Sequence, residues 1–230
     1  MISIVIPTFN EEENINILIP YLQDCCKGYK TEIIVSDCGS TDRTVEVAKN
    51  LEVKVVICPC KGRSTQMNCG AAGAVYDILY FVHADSIPPL SFCSDIIAAV
   101  NTNYEIGRYR TRFEGNKWIL KLNAFFTRFD WFMCYGGDQT LFITKSLFKK
   151  LHGYEESLLI MEEYDLVKRA KQLARYKIFS KAAIVSVRKY HLNSWFKVQK
   201  ANYITVKLYK KGISQTELVA QYKKALKDIK

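Results

Sequence analysis

Acidic side chains follow apolar runs at several points of this chain, and carboxylates are groups that bind divalent cations and accept protons. The clearest case is the apolar run 78–82, which leads through His83 and Ala84 to Asp85. A short apolar run bounded by turn-forming residues is typical of a central strand covered on both faces. Asp85 is therefore predicted at the carboxyl end of a strand, where ligands bind in open α/β sheets. The alternative is an aspartate that caps a helix starting near Pro88.

Two further runs end in polar residues of complementary chemistry. Asp37 follows a strand predicted over residues 32–36, and Lys61 and Arg63 lie in the turn after a strand predicted over 53–57. An aspartate can accept hydrogen bonds from a base or a ribose, whereas lysine and arginine can face phosphates. An exposed basic pair is usually only solvated, but the shared location at successive strand ends predicts a nucleotide site.

The pattern of elements places these residues on one edge of a sheet. Strands are predicted over residues 2–6, 32–36, 53–57 and 78–82, and helices over 11–22, 43–50 and 64–74. Alternating strands and helices favour an α/β fold with a largely parallel sheet. The first strand leads into Pro7 and Thr8 instead of a glycine-rich turn, which disfavours a nicotinamide cofactor.

Composition indicates one α/β domain with an appendage. The chain has 230 residues, of which 49% are hydrophobic, enough to build a large core. We find neither an apolar stretch of the roughly 18 residues that span a bilayer nor a basic leader, and expect a cytoplasmic protein. The eight cysteines include no CxxC pair, and we expect reduced thiols.

Basic charge is concentrated near the carboxyl terminus. The net charge is +10, and residues 188–230 carry eleven Lys or Arg against only Glu217 and Asp228. We therefore predict a main domain over residues 1–187 and a basic, aromatic, helical extension over 188–230. Aromatic residues among lysines suit an anionic membrane surface or a nucleic acid. The alternative is a pair of solvated amphipathic helices packed on the domain; we favour it for the last dozen residues, and surface binding for residues 195–211.

A second aromatic segment lies at residues 117–135, with Lys121 and Arg128 interspersed. Such a segment can pack in a core, line an apolar acceptor cleft or lie on a membrane.

Four motifs in order resemble family 2 glycosyltransferases with the GT-A fold. They are IVIPTFNEE at 4–12, VSDCGSTD at 35–42, KGRSTQMN at 61–68 and HAD at 83–85. Two later segments, GDQ at 137–139 with Leu141 and Phe142, and LIMEE at 159–163 with Asp165 and Leu166, are similar to the subgroup associated with radical SAM and selenodomain proteins. The match extends into the tail, where Arg188 and Lys189 follow the subgroup's pattern.

The resemblance implies transfer of a sugar from a UDP or GDP sugar, with a divalent cation, Mn²⁺ or Mg²⁺, and inversion at the anomeric carbon. A cation between the two phosphates neutralises charge that grows on the leaving group. Asp85 is the implied ligand; His83 stands where the general motif has another acid, and its neutral imidazole can still bind Mn²⁺ or contact a phosphate. The resemblance places the other substrate contacts in the same motifs, at Pro7, Thr8, Asn10, Glu11, Asp37, Gly39, Lys61, Arg63, Asn68, His83, Ala84, Gly137 and Gln139.

The same resemblance assigns a catalytic base. The family has an aspartate at the second position of an acidic pair that opens a helix, which corresponds to Glu163. Glutamate is one methylene longer and positions its carboxylate more loosely, so Glu162 or Asp165 can also serve as the base. Acids also favour a helix N-terminus because of its dipole. Asp138 is the next candidate, as an acceptor contact or supporting carboxylate.

The acceptor is open at this stage. The two aromatic segments favour a lipid-linked or amphiphilic acceptor reached at the bilayer surface, and no nucleic acid is expected as partner. Two alternatives are a sugar-nucleotide pyrophosphorylase and a noncatalytic protein that binds a nucleotide, a membrane or a nucleic acid. Steep dependence of binding on salt would favour the nucleic acid.

Overall fold

A computed structural model describes residues 1–115, 117–135 and 139–227. The strands are β1 (Ile2–Thr8), β2 (Thr31–Asp37), β3 (Lys54–Ile57), β4 (Ile78–Phe81), β5 (Ser86–Ile87), β6 (Tyr104–Phe113), β7 (Leu141–Thr144) and β8 (Arg175–Val185). Across the described residues they form one sheet of eight strands in the order β3-β2-β1-β4-β7-β6-β8-β5.

The helices pack around this sheet. They are α1 (Glu12–Cys25), α2 (Thr44–Asn50), α3 (Arg63–Gly73), α4 (Phe92–Asn101), α5 (Trp118–Phe126), α6 (Lys145–Lys150), α7 (Glu162–Ala170), α8 (Lys189–Leu192), α9 (Trp195–Lys210) and α10 (Gln215–Ala225), with a 3-10 turn at Phe132–Cys134. Within the described ranges, no helix is both long and apolar enough to cross a bilayer.

The first half of the chain builds a parallel sheet with its carboxyl ends on one edge. β1 pairs in parallel with β2 and β4, and β2 pairs in parallel with β3. The register places Thr8 opposite Asp37, so the first two strands end side by side. The predicted α/β fold is confirmed, and each of the first four strands starts and ends within two residues of its predicted position.

The second half of the sheet mixes directions. β7 is antiparallel to both β4 and β6, whereas β6 and β8 run parallel. Short runs such as β7 do not reveal from sequence which neighbour they pair with, because pairing depends on contacts distant in the chain. The sequence pattern therefore predicts the first four strands, whose carboxyl ends carry the predicted site residues, better than it predicts the second half of the sheet.

Both faces of the sheet are covered by apolar side chains. On one face, Ile15 and Leu18 of α1 and Phe92 of α4 share a buried cluster with Ile4 of β1. The opposite face buries Val5 of β1 against α3, α6 and α7, in a cluster whose helical members include Met67, Ala71, Leu147, Leu166 and Val167. The alternation of neighbouring β1 residues between the two clusters follows the two-residue period of a strand.

The three carboxyl-terminal helices pack on the rest of the chain. Val198 and Ala201 of α9 share a buried cluster with Leu120 of α5. Leu218 of α10 is fully buried and packs in a cluster with Met161, the residue before α7. The tail is thus in contact with the element that carries the predicted base.

Candidate active site

The carboxylate of Asp37 holds the turn that follows β2. Asp37 is fully buried, and its Oδ1 accepts hydrogen bonds from the backbone N–H groups of Gly39 and Ser40, each at 2.9 Å. Its Oδ2 accepts from the hydroxyls of Thr8, at 3.1 Å, and of Ser40. Gly39 has a φ of +84°, a left-handed conformation that glycine adopts at little cost. Four donors meet this carboxylate, which fixes two strand ends together; its contact with a nucleoside stays a prediction.

Asn10 and Glu11 tie the turn after β1 to the turn after β2. The Oδ1 of Asn10 accepts from the Thr41 N–H at 2.8 Å, and the Asn10 N–H donates to the Ser40 hydroxyl at 2.8 Å. The N–H of Glu11 donates to the hydroxyl of Thr44 at 2.9 Å. Asn10 has a φ of +53°, in a region that asparagine tolerates better than most residues. The two turns therefore form one connected wall at this edge of the sheet. The wall follows Pro7, a buried residue next to the last residue of β1.

Arg63 is the basic residue that reaches the acids of α7. It begins α3, and its Nη1 lies 3.3 Å from Oε1 of Glu162, with 44% of the arginine side chain exposed. The guanidinium is thus positioned to meet an anionic ligand while it contacts Glu162. Lys61 is exposed, and its Nζ lies 4.5 Å from the centroid of the Phe9 ring, a cation–π contact at the same edge of the sheet.

Asn68 holds the loop that precedes α7. Its Nδ2 donates to the carbonyl of Tyr154 and to Oε1 of Glu156, both at 2.9 Å, and its Oδ1 accepts from the Tyr154 N–H at 2.9 Å. A Cβ at Gly153 would lie only 2.7 Å from Oδ1 of Asn68, which explains the glycine there. The protein itself uses the Asn68 amide, so the predicted contact with ribose or diphosphate stays a prediction.

The turn after β4 carries His83 and Asp85. The Ser86 N–H donates to the His83 carbonyl at 3.0 Å, and the Ser186 N–H donates to the Asp85 carbonyl at 3.2 Å. Ala84 between them is buried in the core cluster of β1 and α1. The Asp85 side chain is 22% exposed, so its carboxylate lies where the turn meets solvent.

Arg188 brings a cation from the tail to this turn. Its Nη2 lies 4.0 Å from Oδ2 of Asp85 and 3.8 Å from Oε1 of Glu11, and half of its side chain is exposed. The sequence analysis placed Arg188 in the basic tail and in the subgroup's pattern, but it did not predict Arg188 as a site residue. The available signal was its position just after the apolar run 182–187, because that run ends at the same edge as the other strand-end residues.

Glu162 and Glu163 open α7 and face the strand-end turns. Oε1 of Glu163 lies 3.2 Å from Nε2 of His83, and both side chains are less than 10% exposed. Met161, the residue before the helix, has a φ of +73°, which is uncommon outside glycine. Backbone in such a conformation persists where its surroundings hold it, and it is found often at functional sites. The structure thus brings together Glu162, Glu163, Arg63 and His83, which lie far apart in the sequence.

The pKa values of the two glutamates are shifted in opposite directions. Burial, followed by the charge of Glu163, raises the pKa of Glu162 from 4.5 to about 7. Burial also acts to raise the pKa of Glu163, but contact with His83 and the charge of Arg63 outweigh it, so the pKa of Glu163 is lowered. Near neutral pH, Glu163 is therefore ionised whereas Glu162 exchanges its proton. Two carboxyl groups with different proton affinities are typical of acid–base sites.

Part of the predicted acceptor side lies outside the described residues. This applies to Gly137 and Asp138. Gln139 is buried, and its Nε2 donates to the carbonyl of Cys134 at 3.0 Å, which ties it to the preceding 3-10 turn.

The predicted cation site offers few protein donor atoms. In the described part of the chain, no group of three or more His, Cys, Asp or Glu side chains is arranged for a metal ion. Asp85 offers one carboxylate, and His83 directs Nε2 towards Glu163. These residues fit a cation that takes its other ligands from a diphosphate and water, as Mg²⁺ commonly does.

Sequence and structure comparisons place the chain among known proteins. A dolichol-phosphate mannosyltransferase of Pyrococcus furiosus is 31% identical over 110 residues, which cover 46% of this chain and 31% of that protein. The chain thus spans about a third of the length of this curated relative.

Two solved structures share the fold. The mannosyltransferase PcManGT of Pyrobaculum calidifontis, in complex with GDP-Man and Mn²⁺, has a TM-score of 0.68 at 12% identity, over 89% of this chain and 61% of that chain. S. aureus TarS 1-349 in complex with UDP-GlcNAc has a TM-score of 0.66 at 16% identity, over 97% of this chain and 71% of that chain. Both likenesses support the predicted GT-A architecture. Residues 3–153 match the family described as Glycosyl transferase family 2, and the chain belongs to that family.

Proposed function

We propose that this protein is an inverting glycosyltransferase that moves a sugar from a nucleoside-diphosphate sugar to an acceptor hydroxyl. One observation carries the proposal: the acid pair at the start of α7 contacts Arg63 and His83, which come from two different strand-end turns. A candidate base thus adjoins a candidate phosphate-binding cation at the sheet edge where α/β proteins bind ligands. Membership of family 2 supports the same reaction class.

In this proposal Glu163 is the base. Inversion requires an acceptor oxygen to attack the anomeric carbon from the side opposite the leaving diphosphate, while a carboxylate removes its proton. Glu163 is ionised near neutral pH, so it is ready to accept that proton. His83 orients the Glu163 carboxylate, and Glu162 positions Arg63. Asp138 is kept as a supporting carboxylate on the acceptor side.

The donor diphosphate is proposed to lie among three cations. Arg63 and Lys61 approach from the turn before α3, and Arg188 approaches from the tail. Arginine forms paired hydrogen bonds with phosphate oxygens, so Arg63 and Arg188 can both bind and orient the leaving group. The nucleoside would contact the wall formed by the turns after β1 and β2. PcManGT is solved with GDP-Man and TarS with UDP-GlcNAc, which supports either UDP or GDP as carrier.

Asp85 is proposed to hold Mn²⁺ or Mg²⁺, with His83 as a second donor through Nδ1, because its Nε2 faces Glu163. PcManGT is solved in complex with GDP-Man and Mn²⁺, which supports this assignment. A divalent cation there would neutralise charge on the departing diphosphate. Arg188, 4.0 Å from Asp85, would add a fixed positive charge at the same place.

The acceptor is proposed to be lipid-linked or amphiphilic, and the enzyme to act in the cytoplasm, peripherally on the inner face of the membrane. The relative named as a dolichol-phosphate mannosyltransferase supports a lipid phosphate class of acceptor. Motifs at 137–142 and 159–166 support placing the chain in the subgroup associated with radical SAM and selenodomain proteins.

Thermal shift with nucleotides tests the donor site directly, because a ligand bound only by the folded state raises its melting temperature. The panel contains UDP, GDP, their sugars and AMP as a control, each with and without Mn²⁺. We expect one diphosphate to raise Tm with Mn²⁺ and to lose most of that shift in Asp85→Asn. If no nucleotide raises Tm under any condition, the proposed donor site is wrong.

A further inference from the structure

The most unusual surface of the described structure is one face of α5. Trp118, Leu122, Phe125 and Phe126 are spaced so that they share a helix face, and their exposed fractions are 75%, 44%, 43% and 38%. Among the described residues of this helix only Leu120 is buried. Core packing, the common explanation for such an aromatic segment, therefore accounts for little of this helix.

The apolar surface continues beyond the helix. Trp131 is 54% exposed and stacks on Phe129, with ring centroids 4.6 Å apart and an angle of 14° between the rings. Phe129 in turn contacts Phe125 and Phe126 at centroid distances of 5.7 and 6.4 Å. We call Trp118, Leu122, Phe125, Phe126, Phe129 and Trp131 the α5 face. These contacts preorganise several of its rings, so docking costs little side-chain entropy there.

Basic residues outnumber acids along the α5 face. Residues 117–131 contain Lys117, Lys121 and Arg128 against one acid, Asp130, whose carboxylate pairs with Lys171 at 2.6 Å. The guanidinium carbon of Arg128 lies 3.9 Å from the centroid of the Phe125 ring, so cation and ring occupy the same patch. Aromatic rings beside basic side chains, on a helix too short to span a bilayer, are typical of segments that lie in the membrane interface.

The start of α9 extends this surface. The Nε1 of Trp195 donates to Oδ1 of Asn123 on α5 at 3.1 Å, which joins the two helices. The next residue, Phe196, is 72% exposed and is followed by Lys197 and Lys200, which are also exposed. Aromatic and basic side chains are thus combined on both helices.

We propose that the α5 face docks on an anionic lipid bilayer. A second copy of the chain is the poorer partner, because it would bring the same basic residues against Lys121 and Arg128. Anionic lipid headgroups instead complement these cations while the rings enter the boundary between headgroups and acyl chains. Docking there would place the active site beside a membrane-borne acceptor, and in this respect the inference rests on the proposed function. The docking itself can be tested without turnover.

Vesicle flotation tests the inference with the whole chain. The probes are phosphatidylcholine vesicles with and without about 30% phosphatidylglycerol, an anionic lipid that gives the bilayer a negative surface potential. We expect binding only to the anionic vesicles, and a loss of roughly tenfold to hundredfold in partitioning for Trp118→Ala/Phe125→Ala. The matched control is Ile57→Ala/Leu90→Ala, which removes two side chains that are 62% and 74% exposed elsewhere; it should bind like the wild type.

A second pair of variants separates charge from apolar contact. Lys121→Gln/Arg128→Gln should weaken vesicle binding and make it depend less on salt concentration. Lys149→Gln/Lys150→Gln on α6 should change neither. The inference is overturned if the wild type does not float with anionic vesicles, or if the α5 variants bind as well as their controls. It is equally overturned if α5 substitutions abolish a dimer seen by ultracentrifugation and leave vesicle binding intact.

Donor binding keeps this test distinct from the proposed function. The nucleotide-induced rise in Tm should be the same in wild type and in Trp118→Ala/Phe125→Ala, because neither residue belongs to the donor site. If Trp118→Ala/Phe125→Ala loses vesicle binding but keeps the nucleotide-induced rise in Tm, the substitutions have removed membrane docking and left the donor site intact. Vesicle binding without any nucleotide shift would leave the α5 face in place and refute the donor site.

Discussion

The acid pair at the start of α7 is the centre of the proposed chemistry, and its two members should fail in different ways. Glu163→Gln keeps the size of the side chain and removes the base, so we expect kcat to fall by about 10²- to 10⁴-fold. Glu162→Gln removes the partner charge of Arg63 and should mainly raise the donor KM. Steady-state rates of nucleoside diphosphate release distinguish the two patterns. Equal losses of kcat in both variants would contradict the assigned roles.

The acidity of Glu162 predicts an effect of pH on stability. Its pKa is raised from 4.5 to about 7 in the folded protein, so the folded state holds this proton more tightly than the unfolded state. The stabilising contribution is complete below the unfolded value and is lost as the pH rises through 7, by up to about 3 kcal/mol. Tm of the wild type should therefore fall relative to that of Glu162→Gln between pH 5 and pH 8. Parallel profiles of the two proteins would show that Glu162 does not titrate in this range.

Arg188 is predicted to bind the donor. Arg188→Gln removes the cation next to Asp85 and Glu11. We expect the donor KM to rise by about tenfold to hundredfold with a smaller change in kcat, because a phosphate contact is lost. Lys149→Gln, an exposed change on α6, is the control. An unchanged KM, with an unchanged nucleotide shift in Tm, would assign Arg188 to the tail alone.

At the scale of elements, the helix α10 holds the loop that leads to the acid pair. The Oε1 of Gln215 accepts hydrogen bonds from the N–H groups of Leu159 and Ile160 at 3.1 and 3.3 Å. Leu218 packs with Met161, whose left-handed backbone sets the direction in which α7 begins. We infer that the tail positions the base although it contributes no base of its own.

Gln215→Ala tests this positioning role. The variant leaves two backbone donors without their acceptor, so the loop before α7 should loosen and kcat should fall by about three- to tenfold. The nucleotide shift in Tm should not change, because the donor contacts lie on other turns. Gln221→Ala on the same helix removes only a bond to Glu217 and should behave as wild type. A fall in both kcat and donor binding would indicate general unfolding instead.

The elements differ in how far the sequence predicts them. β1, β2 and β4 each contain a short apolar stretch bounded by turn residues, so their approximate bounds and the strand-end position of Asp85 follow from local pattern. The role of Glu163 came from resemblance, because its contact with His83 joins residues far apart in the chain. Arg188 was missed for the same reason. The exposure of α5 was also open, because an aromatic stripe has the same spacing whether it faces the core or solvent.

At the scale of the molecule, we propose that the division into residues 1–187 and 188–230 is one of role more than of independent folding. The tail shares buried clusters with α5 and with the start of α7, and it carries Arg188 to the site. Its basic and aromatic residues adjoin the α5 face, so one segment would connect donor, base and membrane. The eight cysteines are free in the structure, and their reduced state in the cell stays a prediction.

The central claim is inverting transfer by Glu163, and the anomeric configuration of the product tests it most directly. The measurement is proton NMR of the sugar released or transferred from the donor identified by thermal shift, with Mn²⁺, followed early in the reaction. We predict a product of configuration opposite to that of the donor, and no detectable product from Glu163→Gln. A product of retained configuration, or a Glu163→Gln variant as active as the wild type, would contradict the account.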